Sequence, residues 1–254
     1  MLSKIVILLA SAASAVAAPL PCASPQAHFQ TPTVPASGGP KELTNPPDGL
    51  KLLHIALGFG IQNYTCSAVG AKPLATGALA ILYDALPFYP KQGPRSLSAD
   101  KFMALPGDVL AHHQLPLNMD SSAQGRVDPA HPGASPTEPF PAPAPLSVDA
   151  IDGPLEYIGH HFFTSQGVPE FVLDNGTIHL TAKKDEAVDA PSSASTGPDG
   201  TGAVAWLKLR ATSDAVGPAK LVYRVVTAGG NSHGCAKAAG DDSTSYTATY
   251  WFYG

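Results

Sequence analysis

The sequence predicts a mostly β domain, an antiparallel β-sandwich or barrel with long Pro/Gly-rich loops. Three observations carry this. Apolar runs of strand length recur along the chain, several alternating with polar residues. Charged residues are sparse, at 14%, while proline and glycine number 26 and 24, a balance suited to short strands joined by many turns. About eight or nine candidate strands occur with little helix, which argues for strands packing on strands.

Residues 51–58 form an apolar run, and residues 61–66 alternate and read as a second strand. Phe59-Gly60 between them reads as a bulge or bend. Residues 75–83 are another apolar run, read as strand. Ser98 caps a short helix through Ala104 that Pro106-Gly107 ends, and residues 108–113 add a turn or two. Within residues 124–147, seven prolines lie from Pro129 to Pro145. Each lacks a backbone donor and disfavours helix in the residue before it, so this segment reads as an extended insertion.

Residues 156–163 and 170–173 read as strands. Asp174-Asn175-Gly176-Thr177 contains Asn-Gly, a hairpin signal because both residues accept positive φ. Residues 177–183 return as the partner strand, with Ile178 and Leu180 on one face. Residues 186–202 are a polar loop, and 203–209 and 221–227 are strands. The last strand, 245–253, alternates Tyr246, Ala248, Tyr250 and Phe252 against Thr247, Thr249, Trp251 and Tyr253. Aromatics on both faces predict a central strand buried on at least one side. There is no internal repeat.

The N-terminus reads as an export signal. Lys4 gives a positive start, residues 5–10 an apolar stretch, and Ala15-Val16-Ala17 small residues at the −3 and −1 positions. Cleavage is expected after Ala17, with Ala18 as the alternative. The apolar stretch is too short and too rich in Ala and Ser to span a bilayer, and no later run reaches about 18 apolar residues. Residues 1–17 are thus a signal peptide, 18–47 an extended leader, and 48–254 a single β domain. The expected location is extracellular. The formal charge is −5, without a dense Lys/Arg cluster, which argues against nucleic acid and anionic membrane surfaces as partners.

Export makes a disulfide the default for the three cysteines, Cys22, Cys66 and Cys235. Cys66 and Cys235 lie in the best-patterned regions and are the preferred pair. Pairing of Cys22 with either, or a free Cys22, stays open. Asn63-Tyr64-Thr65 and Asn175-Gly176-Thr177 are N-glycan acceptor sequences.

One ordered series of motifs is distinctive. Gln62-Asn63-Tyr64-Thr65-Cys66 is followed by Gly159-His160-His161, by Trp206-Leu207, and by Arg224-Val225-Val226-Thr227-Ala228-Gly229-Gly230. Cys235 and Tyr246-Thr247-Ala248-Thr249-Tyr250-Trp251-Phe252-Tyr253 complete it. From about Pro46 to Gly254, apart from the Pro-rich insertion, this resembles the secreted family catalogued as domain of unknown function 3455. The family often has proline after Gly-Gly-x, where this chain has Ser232-His233. The resemblance implies export and supports the Cys66–Cys235 pairing, but it brings no activity. Some relatives carry a malate dehydrogenase label, and the residues argue against it. Gly58-Phe59-Gly60-Ile61-Gln62-Asn63 imitates the start of a dinucleotide fingerprint, yet Asn63 replaces the third glycine, and Tyr64-Thr65-Cys66 favours strand over helix.

No hydrolase elbow, metalloprotease helix motif or phosphate loop is present. The polar residues that stand out are His160, His161, His179, Arg224, Gly229, Gly230 and Tyr250. His160 and His161 point to opposite faces of a regular strand. One of them could meet His179 across a hairpin. His233 adds a third metal ligand only if the Gly229-Gly230 loop folds back. His112, His113 and His131 sit in loop-like sequence and are weaker candidates. An inward Arg224 needs a carboxylate, whereas an outward one needs nothing. Paired glycines mark turns more often than sites, and the aromatic last strand supplies core area or a carbohydrate-stacking platform. The expectation is a secreted binding or wall-associated module for an extracellular polysaccharide or other wall component, with no cofactor. The alternative is a secreted hydrolase or metal-dependent oxidase using His160 or His161.

Overall fold

The computed structural model describes residues 30–120, 127–128, 130–149 and 151–254. The export signal, Cys22, the leader up to residue 29, and residues 124–126 and 129 of the Pro-rich insertion lie outside them. The elements are β1 (Leu52–Cys66), β2 (Leu74–Asp84), α1 (Ala99–His112), β3 (Met119–Asp120), β4 (Gly133–Ala134) and β5 (Tyr157–Phe163). They continue with β6 (Pro169–Leu173), β7 (Ile178–Val188), β8 (Trp206–Ala211), β9 (Leu221–Gly229) and β10 (Gly240–Tyr253).

Eight of the strands close into one antiparallel barrel in the order β1-β10-β9-β8-β7-β6-β5-β2. The longest pairing, β1 with β10, runs from Leu52↔Tyr253 to Cys66↔Gly240. The side-chain period of two makes two cores. Inside the barrel lie Ala56, Leu82, Phe171, Leu180, Val222, Tyr246, Tyr250 and Phe252. Outside β1, β9 and β10, a second layer joins Ile55, Leu57, Tyr223 and Trp251 to Phe88 and to Phe102, Leu105 and Val109 of α1. Both faces of β10 are buried, as its aromatic alternation predicts.

Two local readings are corrected, and a third is met. Residues 52–66 are one continuous strand, with no bend at Phe59-Gly60. A Cβ at Gly60 would stand 1.9 Å from the Leu79 carbonyl oxygen, so this glycine permits close strand approach instead of a turn. Pro106 does not end the helix. Ser98 caps it as expected, accepting from Lys101 N–H at 3.3 Å, but α1 then runs through Pro106 to His112. Pro106 is buried in the outer core side of α1, and its carbonyl accepts from Thr247 Oγ1 at 2.5 Å, so tertiary packing holds what local preference would break. The Asn-Gly turn occupies four residues between Leu173 and Ile178, with positive φ at Asp174, Asn175 and Gly176.

The described part of the leader has no strand or helix, but it is docked. Val34 and Leu43 pack on the outer core, and Tyr223 Oη donates to the Thr44 carbonyl at 2.7 Å. Lys208 Nζ lies 2.8 Å from Glu186 Oε1. Burial acts against ionisation of Glu186, yet Lys208 and the Thr44 donors hold its carboxyl down at about 2. Cys66 and Cys235 form the disulfide, 169 residues apart in sequence.

Candidate functional site at the barrel mouth

Strand alternation decides which polar side chains enter the barrel. Tyr223 and Val225 face the outer core while Val222 faces inward, so Arg224 points inward. Gln62, on β1, and Leu207 and Leu209, on β8, line the same cavity at one mouth of the barrel. Its volume is about 520 Å³, and Phe163, Lys183 and Lys184 also border it. No carboxylate residue is among the residues lining it.

The inward arginine has polar neighbours but no charged one: the Tyr250 hydroxyl hydrogen-bonds it, as does one backbone carbonyl. One Nη2–H of Arg224 donates to the Ala205 carbonyl at 2.9 Å. Its Nε, and Nε2 of Gln62, are buried without a hydrogen-bond partner. The ion pairs among the described residues do not include Arg224. The carboxylate that an inward Arg224 was expected to need is therefore not supplied by the fold.

Deeper in the barrel, Tyr246 and Tyr250 join hydroxyls at 2.9 Å. Burial raises the pKa of Tyr250, with Arg224 opposing. Burial also raises Tyr64 to about 12, with Arg224 again opposing. His161 is inside as well. Its Nδ1 lies 2.7 Å from the Glu170 carbonyl, which can only accept, so the proton is on Nδ1. Burial pushes its pKa down to about 3, leaving a neutral imidazole.

The seven predicted residues divide. His161, Arg224, Tyr250 and Gly230 face the interior, where a Cβ on Gly230 would meet Tyr246 Cβ at 2.8 Å. Gly229 lies against the outer layer, where a Cβ would stand 2.7 Å from the Ser245 carbonyl oxygen and 2.8 Å from Leu110 Cδ2. Both glycines have positive φ, 63° and 97°, which fits turn and packing roles. His160 is on the outer face, its ring 4.5 Å from that of Phe140 and its pKa lowered by burial. His179 is also outside, paired with Glu170 at 2.7 Å. Val172 stands in register between His160 and His179, so these two histidines are two strands apart. The structure thus does not gather His160, His161 and His179 around one point. Sequence reasoning passed over Gln62, Lys183 and Lys184 as site residues; their chance of detection lay only in knowing which strands close the barrel.

The family of these motifs is decided by direct comparison. The family model described as "Protein of unknown function (DUF3455)" matches residues 46–254. The chain belongs to the DUF3455 family. No curated protein and no solved structure matches it. In this DUF3455 protein the dinucleotide-like Gly58 to Asn63 segment lies in the middle of β1, paired on both sides. No loop or helix N-terminus follows it to hold a pyrophosphate. Of the two glycan acceptor sequences of this DUF3455 chain, Asn175 is exposed on a turn. Asn63 lies within β1, its Oδ1 accepting from Ser243 Oγ at 2.9 Å.

Proposed function

We propose that this protein is an extracellular binding module whose barrel mouth takes a small ligand bearing a carboxylate on an apolar body. The observation that carries the reading is Arg224, an inward guanidinium with an unpartnered Nε and no carboxylate supplied by the fold. A half-buried cation without a counter-charge is partly desolvated at a cost, and a bound anion relieves that cost. Gln62 Nε2 offers a second donor, Lys183 and Lys184 favour an anion at the rim, and Leu207, Leu209 and Phe163 suit an apolar body. The acidic sugar of a wall polysaccharide presents the same carboxylate chemistry. Export, cleavage near Ala17 and a glycan on Asn175 belong to this reading.

Thermal-shift measurements with matched pairs test it: benzoate against benzamide, and galacturonate against galactose. A ligand that binds only the folded state raises the melting temperature. The reading expects a rise with at least one acid and none with its neutral partner. Preference for galacturonate over benzoate identifies a sugar acid. Equal shifts with acid and neutral partner, or no shift with either pair at millimolar concentration, contradict it.

A further inference from the structure

A second constellation lies outside the barrel wall, beside the disulfide. Asp128, His131 and His233 each offer a ligand atom, and these atoms lie within 4.8 Å of one another. Among the described residues they are the one such group of three. In each histidine one ring nitrogen is already engaged by a carboxylate. His131 Nε2 lies 2.9 Å from Asp199 Oδ1, and His233 Nδ1 lies 2.7 Å from Asp242 Oδ1. The opposite nitrogens, His131 Nδ1 and His233 Nε2, are shielded from solvent and have no hydrogen-bond partner. The Ala130 N–H, and then His131, hold the Asp128 carboxyl below its ordinary range. Asp128 Oδ2 stands 3.2 Å from His131 Nδ1, an ion-pair contact that already brings both atoms to the same point.

This is the arrangement in which a carboxylate fixes an imidazole's tautomer and leaves the other nitrogen's lone pair for a metal. Charge points the same way. The Asp199 and Asp242 side chains are only 5% and 1% exposed, and histidines are their ion-pair partners, not lysine or arginine. Three carboxylates, those of Asp128, Asp199 and Asp242, gather around two imidazoles with no lysine or arginine among their ion-pair partners, a negative setting that suits a dication. The supports are firm on both sides. Asp242 also accepts from Ser232 Oγ at 2.5 Å and from His233 N–H at 2.9 Å. Asp199 accepts from Ser245 N–H at 3.1 Å and Oγ at 3.0 Å. Cys235 anchors the His233 loop through the disulfide, and Val127 N–H donates to the Asp241 carbonyl at 2.6 Å, tying the Asp128 segment to the start of β10.

We propose that Asp128, His131 and His233 bind one divalent transition-metal ion, zinc being the best match, with Asp199 and Asp242 positioning the two imidazoles. Ligand atoms of a tetrahedral zinc site stand about 3.3 Å apart at ordinary bond lengths, so modest side-chain rotation closes the set. Three protein ligands leave at least one coordination position for water or an exogenous group.

The test is a calorimetric titration of the untagged, chelator-treated full chain with Zn²⁺. One ion per chain is expected. Affinity should fall at least about a hundredfold in His131→Ala and His233→Ala, and roughly 10- to 100-fold in Asp242→Asn. Binding of no ion, or binding unchanged in both histidine variants, overturns the proposal. Wild-type protein with Co²⁺ supplies a readout independent of the variants' folding. Intense visible absorption bands of a low-coordinate cobalt site are expected, displaced by one equivalent of Zn²⁺; their absence overturns the assignment.

Discussion

The His161 ring lies flat on the Phe171 ring, with centroids 4.1 Å apart and planes 6° from parallel. The pair is sealed inside the barrel, with Tyr250 beside both rings. His161 is 3% exposed, and its folded-state pKa of about 3 lies far below its ordinary 6.5. Between these values the unfolded chain binds a proton that the folded chain does not. Stability is therefore intact above pH 6.5 and is lost as pH falls towards 3, by about 1.4 kcal/mol per pH unit for this group. By about pH 5 the loss is on the order of 2 kcal/mol. Denaturant melts of wild type and His161→Phe at a series of pH values check this. The variant should lose less stability than wild type between pH 6.5 and 5, and parallel curves would remove the buried neutral histidine from the account.

Two glycines of β1 make room for different neighbours. A Cβ at Gly58 would meet Tyr250 Cε2 at 2.4 Å, a side-chain ring, whereas at Gly60 it would meet Leu79 backbone. Overpacking a side chain costs about 1–3 kcal/mol, since the ring can shift. Gly58→Ala should fold with reduced stability, and Gly60→Ala should be the more damaging. Urea midpoints, or soluble yield where folding fails, rank the two.

Cys66–Cys235 links the end of β1 to the segment before β10 and closes the six barrel strands between them into one loop. Removing such a link costs roughly 2–5 kcal/mol in small secreted domains. Cys66→Ser with Cys235→Ser should lower the unfolding free energy by that order in urea melts, with a steeper denaturant dependence because the unlinked unfolded chain exposes more surface. The double variant should also bind Zn²⁺ more weakly than wild type in calorimetric titration, because Cys235 holds the loop that carries His233.

Local chemistry was legible where it had no rival. The alternation of residues 245–253, the Asn175-Gly176 turn and the Ser98 cap depend on neighbours in sequence, and each has its expected counterpart. Gly60 and Pro106 misled because each has two physical uses: a bend or a close approach, a helix stop or a buried packing residue. Only tertiary contact selects between them. The inward face of Arg224 follows from the alternation of β9, but the lack of a carboxylate depends on which strands border the mouth. His131 and His233 were least legible. About a hundred residues separate them, neither lies on a patterned strand, and their engagement by Asp199 and Asp242 is a product of loop packing.

An arginine kept for ligand binding need not stabilise the free protein. Replacing a partly desolvated charge that lacks a counter-charge with an apolar side chain of similar length is often neutral or stabilising. Arg224→Met should melt within a few degrees of wild type, measured by circular dichroism. A large drop would mean that Arg224 serves chiefly to hold β8 and β9 together through Ala205.

The most direct test is calorimetric titration of wild type and Arg224→Gln with the acid that gives the larger thermal shift. A charge-assisted hydrogen bond is worth about 1.5–3 kcal/mol, so affinity should fall roughly 10- to 150-fold in the variant with its fold intact. Equal affinities for the two proteins would contradict the assignment of the barrel mouth as a carboxylate site.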